Sequence, residues 1–198
     1  GNATPRRTGP VRAERLLLGT ADAIDALNDR IGRTTAVLFL ATVVICFATV
    51  YLRYALGIGM TWLQELYMWT HAAAIMFGAG YCLLKGGFVR IDMFYARMSA
   101  RRKAMVDLFG TVVFMAPFLW MMWAYGWPFF ASSLKMNEAS QYADGLPRLY
   151  LLKGTFLVFV ALVGLQGLSL VCRSLVALRD PPEDTMRDPA RDPAGGTA

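Results

Sequence analysis

The sequence predicts an all-α integral membrane protein with four transmembrane helices, and two observations carry this prediction. Of the 198 residues, 56% are hydrophobic and only 17% are charged, whereas soluble domains are about 45–50% apolar and about 25% charged. Residues 34–52, 66–84, 108–134 and 154–172 contain no Asp, Glu, Lys or Arg, and each stretch has about the 20 residues that a helix needs to cross a bilayer. Because a backbone in hydrocarbon must satisfy its own hydrogen bonds, each stretch is expected to be a helix.

The composition also excludes other classes of protein. A formal net charge of +6 would suit a nucleic-acid-binding protein, but the basic residues lie between the apolar stretches, so no nucleic-acid partner is expected. The three cysteines show no disulfide framework and no metal-ligand spacing. The single histidine, His71, excludes a bis-histidine haem within the chain. We therefore expect no metal and no cofactor.

The N-terminal part precedes the first span. Residues 1–12 are rich in Pro, Arg and Gly and are predicted to be disordered. Residues 13–30 are predicted to form an amphipathic interfacial helix, lying on the membrane surface or against a partner helix; a solvated leader is the alternative. Its apolar and acidic positions fall on different faces: Leu17, Ile24, Leu27 and Ile31 against Asp22, Asp25 and Asp29.

The membrane domain is predicted over residues 31–178, with its first two spans at about 34–53 and 62–84. A short turn containing Gly57 and Gly59 joins them, which predicts an antiparallel hairpin. Arg53, Trp62 and Glu65 lie at its outer end. We predict that Arg53 and Glu65 form a charge pair, directly or through a lipid headgroup or a partner side chain; a snorkelling arginine beside an unrelated carboxylate is the alternative.

The connection after the second span is strongly basic. Its apolar positions 91, 94, 95 and 98 predict a short interfacial helix. The basic residues are expected to bind anionic lipid headgroups, or alternatively only to set the topology. They are Lys85, Arg90, Arg97, Arg101, Arg102 and Lys103, and the segment also contains Asp92.

The third and fourth spans are predicted at about 105–130 and 149–173. Pro117 predicts a kink in the third span, and Trp127 is expected to anchor it at the interface. The outer connection between them is a candidate docking loop for a partner protein, through Lys135, Glu138, Asp144 and Arg148. Residues 179–198 are predicted to be a disordered tail.

The distribution of Lys and Arg predicts the orientation. Basic residues concentrate before the first span, between the second and third, and after the fourth. Cytoplasmic loops carry such an excess, so both termini are predicted to be cytoplasmic.

Few ionisable residues lie within the spans, and they are Glu65, His71 and Lys153. Transporters with their own substrate site show broken helix pairs, inverted repeats or buried acidic groups, and none is evident here. The chain is therefore not expected to be an enzyme or to transport a solute by itself. Two other functions stay open: a membrane anchor of a redox complex, and a self-contained oligomeric exporter or channel.

Several motifs resemble the small permease subunit of TRAP transporters, the DctQ-like family. They are Leu52-Arg53-Tyr54 followed by Thr61-Trp62-Leu63-Gln64-Glu65, and Lys85-Gly86-Gly87-Phe88-Val89-Arg90-Ile91-Asp92, which is similar to the family's His-Val-Arg-Val-Asp stretch. Phe88 stands where a histidine is common in the family. Gly145-Leu146-Pro147 and Leu165-Gln166-Gly167 resemble the branch grouped with mannitol/chloroaromatic-type systems.

This resemblance implies a bacterial inner-membrane transporter with three components. A periplasmic binding protein captures an organic acid or related solute, and a large permease subunit holds the substrate and sodium sites. The small subunit is a scaffold that packs one-to-one beside the large subunit, helps dock the binding protein and contacts membrane phospholipids.

Overall fold

Four helices make up the part of the chain that the computed structural model describes, residues 12–87 and 98–179. They are α1 (Arg12–Ala55), α2 (Thr61–Leu84), α3 (Ala100–Lys135) and α4 (Tyr150–Arg179). No strand occurs among these residues, so the prediction of an all-α protein is confirmed for them. Of the predicted disordered ends, 1–12 and 179–198, residues 1–11 and 180–198 lie outside the described residues, whereas Arg12 and Arg179 are helical. Arg90, Asp92, Arg97 and most of the predicted helix at 91–98 also lie outside the described residues.

Three of the four helices are long and apolar enough to cross a membrane: α1 from Glu14, α3 and α4. The second helix, α2, has 24 residues and is long enough to cross a membrane. It is less apolar by hydropathy than the other three and is not among the candidate spans in the described part of the chain. Its polar side chains, among them Gln64, Glu65 and His71, lower its mean hydropathy. The structure thus supports three of the four predicted spans by length and composition.

The helix α4 lies at the centre of the bundle and packs against each of the other three. It runs antiparallel to α3, since Gly154 lies beside Phe130 near one end of the pair and Gly167 lies beside Thr111 near the other. The helices α1 and α2 form the predicted antiparallel hairpin, in which Gly78 lies beside Thr35 and the hydroxyls of Thr42 and Thr70 are 2.9 Å apart. The small apolar core is centred on α3 and α4, at Leu119, Val160 and Val163.

The N-terminal segment is not a separate interfacial helix. We predicted one helix at 13–30 and a first span at 34–53, but α1 is continuous over 44 residues. No proline interrupts the sequence between them. Gly32 does not break the helix; the ring of Tyr81 of α2 lies directly against it, so this glycine brings the two helices into close contact.

Directly before Pro117, where we predict a kink, α3 contains a π-helical turn, Gly110–Met115. The N–H of Ala116 donates to the carbonyl of Thr111, five residues earlier. Pro117 has no N–H to donate to the preceding turn, so regular α-helical bonding is interrupted where the π-turn ends. The turn widens α3 next to α4.

Candidate functional site at the two ends of the bundle

At one end of the bundle, polar side chains join α1 to α4, and three of them, Asn28, Gln166 and Ser169, are buried. We call Asp22, Asp25, Asn28, Gln166, Ser169 and Arg173 the Asp25 junction. The Oδ1 atom of Asp25 accepts hydrogen bonds from Gln166 (2.8 Å) and Ser169 (2.7 Å). Its Oδ2 atom accepts from Arg173 at 2.6 and 3.2 Å, and Arg173 also binds Asp22 at 2.7 Å.

The Asp25 junction extends to α2 through Asn28. The amide of Gln166 donates to Asp25, so its Oε1 atom is free to accept a hydrogen bond from Asn28 (2.8 Å). This fixes the amide of Asn28, which is fully buried, and its Oδ1 atom has no hydrogen-bond partner. That oxygen lies against Gly80 of α2, where a Cβ atom would overlap it. Three helices therefore meet at one buried amide.

The same end of the hairpin is held by ion pairs to Asp29. Lys85, which follows α2, approaches Asp29 to 3.0 Å, and Arg33 approaches it to 2.8 Å. The Lys85 ammonium also lies 5.3 Å from the centre of the Tyr81 ring. Of the basic residues assigned to lipid headgroups, Lys85 is thus engaged within the protein. Arg101 and Arg102 are exposed, and Lys103 is partly buried.

At the opposite end, Glu65 holds the connection between α3 and α4 instead of pairing with Arg53. Its carboxylate accepts hydrogen bonds from the Ser140 hydroxyl and from the Leu146 N–H (2.7 Å). Arg53 is exposed and makes no ion pair with Glu65 among the described residues. The direct pair is therefore absent, and a bridge through a lipid or partner stays a prediction. Trp62, one turn before Glu65, is 38% exposed.

A second carboxylate, Glu138, fixes the same outer loop, residues 136–149. It accepts hydrogen bonds from Ser133 and Lys153, each at 2.5 Å. The bond and charge of Lys153, together with the Ser133 hydroxyl, hold the pKa of Glu138 below its usual value. The Lys153 ammonium also lies 4.1 Å from the centre of the Phe129 ring, which adds a cation–π contact.

The four predicted docking residues therefore divide into two groups. Glu138 is turned toward the bundle and holds the loop. Lys135, Asp144 and Arg148 are exposed. Arg148 has a positive φ of 66°, and the adjacent Leu149 N–H donates to the Glu138 carbonyl at 2.8 Å. The loop has a defined conformation in which three charged side chains face outward.

The sequence analysis missed the Asp25 junction, although the sequence contains a signal for it. Asp22, Asp25 and Asn28 recur every three residues on α1, and Gln166, Ser169 and Arg173 recur at three and four residues on α4. The α1 stripe lies just before the first apolar stretch, and the α4 stripe lies at the end of the fourth. Two polar stripes of matching spacing indicate helices that bind each other. The sequence analysis places Asp22 and Asp25 on the acidic face of a separate interfacial helix and gives Asn28 no role.

The glycines of the spans are used for packing inside the bundle. Gly78 and Gly80 lie against α1, while Gly164 and Gly167 lie against Leu119 and Met115 of α3. The ring of His71, an exposed residue, lies 6.0 Å from that of Phe39 in an edge-on arrangement.

Large apolar side chains cover the outside of the bundle. On α1 they recur at alternating spacings of three and four, and each is more than half exposed: Val37, Leu40, Val44, Phe47, Tyr51 and Tyr54. We call this set the α1 face. On α3, exposed aromatic residues include Phe114, Trp120, which is 72% exposed, and Tyr125. Surfaces of this size on a membrane protein contact lipid or another subunit.

Among the described residues no group of three or more His, Cys, Asp or Glu side chains could hold a metal ion. The carboxylates of Asp25, Asp29, Glu65 and Glu138 are each engaged by donors of the chain itself. Their arrangement connects helices and loops.

The comparison with known families agrees with this description. A family model described as "Tripartite ATP-independent periplasmic transporters, DctQ component" matches residues 42–177, well over half of the chain. The match does not distinguish branches of the family, so the mannitol/chloroaromatic branch stays a prediction. No curated protein and no solved structure matches the chain.

Proposed function

Since the chain belongs to the DctQ component family of tripartite ATP-independent periplasmic transporters, we propose that it is the scaffold of such a transporter. This multi-pass membrane protein is the small subunit, and the family works with a large permease subunit and a periplasmic binding protein. In our proposal it packs one-to-one beside the large subunit, which holds the sodium and substrate sites. The solute is an organic acid or a related molecule.

The observation that carries the scaffold role is the contrast between interior and exterior. The carboxylates of Asp25 and Glu65, which could otherwise bind a cation or a solute, are occupied by donors of the same chain. The outside presents continuous apolar surfaces such as the α1 face. Without a hydrophobic drive between helices in lipid, close packing of such surfaces is what holds subunits together.

The proposed topology has four spans in the inner membrane and both termini in the cytoplasm. The helix α2 is included as a span because it packs along α1. The contacts run from Gly80, beside Asn28, to Thr70, beside Thr42. Its polar first turn has protein partners, since Glu65 binds the outer loop. Basic residues are concentrated at the start of α3 and at the end of α4. This distribution indicates that these two helix ends are cytoplasmic.

Docking of the binding protein is proposed at the outer loop. Glu65 and Glu138 fix the loop from two sides, so the exposed Lys135, Asp144 and Arg148 are held in place before a partner arrives. Charges on a fixed loop mainly steer association and select the partner. Glu138 itself is a positioning residue of this surface.

The function is tested by reconstitution. The large subunit alone, this chain alone and both together are placed in proteoliposomes with the binding protein and a sodium gradient. We expect uptake only with both, and co-purification at a one-to-one ratio in mild detergent. Full binding-protein-dependent uptake by the large subunit alone would contradict the scaffold role.

The topology is tested separately in a variant without native cysteines. Ile58→Cys in the turn between α1 and α2 should react with an impermeant maleimide added outside intact cells. Arg101→Cys should react only after the cells are opened. The reverse pattern would overturn the orientation, and reaction of both sites from outside would overturn α2 as a span.

A further inference from the structure

An apolar groove runs between α3 and α4 beside the π-helical turn. It encloses about 320 Å³ and is open along one side. Its lining includes Val112, Met115 and Ala116 of α3 and Gly164, Gly167 and Leu168 of α4. The hydroxyl of Thr111, which also borders it, donates to the Asp107 carbonyl at 2.7 Å. The groove therefore presents hydrocarbon to its occupant.

The groove follows from two local features of the sequence. The π-turn adds one residue to the turn of α3 and displaces its backbone relative to α4. Gly167, which has no side chain, faces the π-turn beside Thr111 and Met115. Gly164 faces Leu119, about one turn further along α3, whose Cδ1 atom would lie 3.8 Å from a Cβ there. Two positions without side chains thus border the wide turn and the residues that follow it. π-turns within helices often occur at functional sites.

The size of the groove selects the kind of occupant. A volume of 320 Å³ holds roughly ten groups of the size of a water or a methylene. A helix is about 10–12 Å across and cannot enter a groove between two helices that already pack together. A single hydrocarbon chain can enter it.

The charge at one end of the groove indicates what kind of headgroup the hydrocarbon chain carries. Because α3 and α4 are antiparallel, the first turn of α3 and the last turn of α4 lie at the same end. Arg101, Arg102 and Arg179 are exposed there. Lys103 and Asp107, nearer the groove, have interactions of their own within the protein. Arg101 precedes Val112 by three helical turns, about 16 Å along the axis.

We propose that this groove binds one acyl chain of an anionic phospholipid whose headgroup lies at Arg101, Arg102 and Arg179. The negatively charged phosphate of such a lipid, which no cationic headgroup group neutralises, complements the three guanidinium groups, and the chain fills the groove as far as Gly164. The inference goes beyond the scaffold role and does not depend on it, because it concerns this chain and lipid alone.

The acyl-chain part is tested with the full chain, purified in mild detergent, by native mass spectrometry. The probes are dioleoylphosphatidylglycerol, which is anionic, and dioleoylphosphatidylcholine, which is not. Ala116→Leu adds three carbons to the groove and fills space that the acyl chain would occupy. We expect about tenfold weaker binding of both lipids, because the leucine overpacks the groove when the chain is present. Ala124→Leu, at an exposed position outside the groove lining on the same helix, should leave binding unchanged.

The headgroup part is tested by paired charge removals. Arg101→Gln with Arg102→Gln should weaken binding of phosphatidylglycerol by about fivefold for each arginine, and binding of phosphatidylcholine much less. Arg15→Gln with Arg30→Gln removes the same charge from exposed positions of α1 and should leave the binding of both lipids unchanged. Equal effects of the two pairs would show that only net charge matters and would overturn the headgroup site.

A photoreactive phosphatidylglycerol with a diazirine in its acyl chain tests the wild-type chain directly, without relying on the folding of any variant. We expect labelling concentrated at Gly110–Met115 and around Leu168. Even labelling of these segments and the α1 face would indicate ordinary surrounding lipid and overturn the proposal. Cross-links from Ala116→Cys to the large subunit in the assembled complex would also overturn it.

Discussion

Replacing Asp25 by alanine removes the acceptor at the centre of the Asp25 junction. Gln166 and Ser169 are 2% and 0% exposed, and each loses a hydrogen bond at 2.7–2.8 Å. A buried donor left without an acceptor costs about 1–3 kcal/mol. Ser169 also lies 3.4 Å from the Ala21 carbonyl and should lose less, so we expect Asp25→Ala to lower the free energy of unfolding by about 3 kcal/mol.

Two further variants separate the charge of Asp25 from its hydrogen bonds. Asp25→Asn keeps an oxygen that Gln166 and Ser169 can use and loses the negative charge. The Arg173 side chain is 44% exposed and keeps Asp22, so this change should cost only about 1 kcal/mol. Asp22→Asn makes the same substitution at a carboxylate that is 68% exposed and should cost less than about 1 kcal/mol.

The measurement is reversible unfolding in mixed micelles, with a denaturing detergent as titrant and helix content as the signal. The expected order of destabilisation is Asp25→Ala, then Asp25→Asn, then Asp22→Asn. The reasoning would be refuted if Asp22→Asn destabilised the protein as much as Asp25→Ala, because exposed and buried carboxylates would then contribute equally. It would also be refuted if all three variants unfolded like the wild type.

Three other predictions concern single contacts. Gly80→Ala should lower the melting temperature because its Cβ atom would overlap a buried side chain of α1, whereas Gly19→Ala, with no atom within 4 Å of its Cβ, should not lower it. Glu65→Ala should reduce complex assembly and speed hydrogen exchange in residues 136–149, since that loop loses two hydrogen bonds; Asp144→Ala, at an exposed position, should do neither, and equal effects of the two would remove Glu65 from the site. The Glu138 pKa lies below its usual 4.5, so its bonds should protect the loop from exchange at all pH values above 4.5 and lose that effect as the pH falls through the lowered pKa. Glu138→Gln should abolish this pH dependence, and an unchanged acid transition in that variant would assign it to another group.

The apolar stretches predict the centres of the helices well and their ends poorly. Absence of charge over residues 108–134 locates the part of α3 that fits in hydrocarbon, but the helix itself begins at Ala100. Hydropathy measures the cost of placing a residue in lipid, while helix ends depend on caps and tertiary contacts. The largest discrepancy is at α1, which begins at Arg12, about six turns before the predicted span at residue 34. The helix continues through this acidic sequence because Asp25 and Asn28 have partners on α4.

The contacts at the two ends could not be derived from spacing alone. The pairing of Glu65 with Arg53 is reasonable across a short hairpin, and the two residues do lie near the same turn. The structure shows that Glu65 instead binds Leu146, 81 residues further along the chain. Whether a carboxylate faces a neighbouring turn or a distant loop depends on the rotation of each helix about its axis. Sequence periodicity gives the face of a helix and not the partner of that face.

The polar contacts at both ends fix the helices relative to one another, as the proposed scaffold role requires. Asp25 and Asn28 join α1, α2 and α4 at one end, and Glu65 joins α2 to the outer loop at the other. A partner that moves during transport can only do so relative to a surface that does not move with it. Between the two ends the α1 face carries apolar side chains that impose no fixed hydrogen-bond register on what they contact. Specific geometry is thus concentrated at the ends of the helices, and the middle remains an adaptable apolar surface.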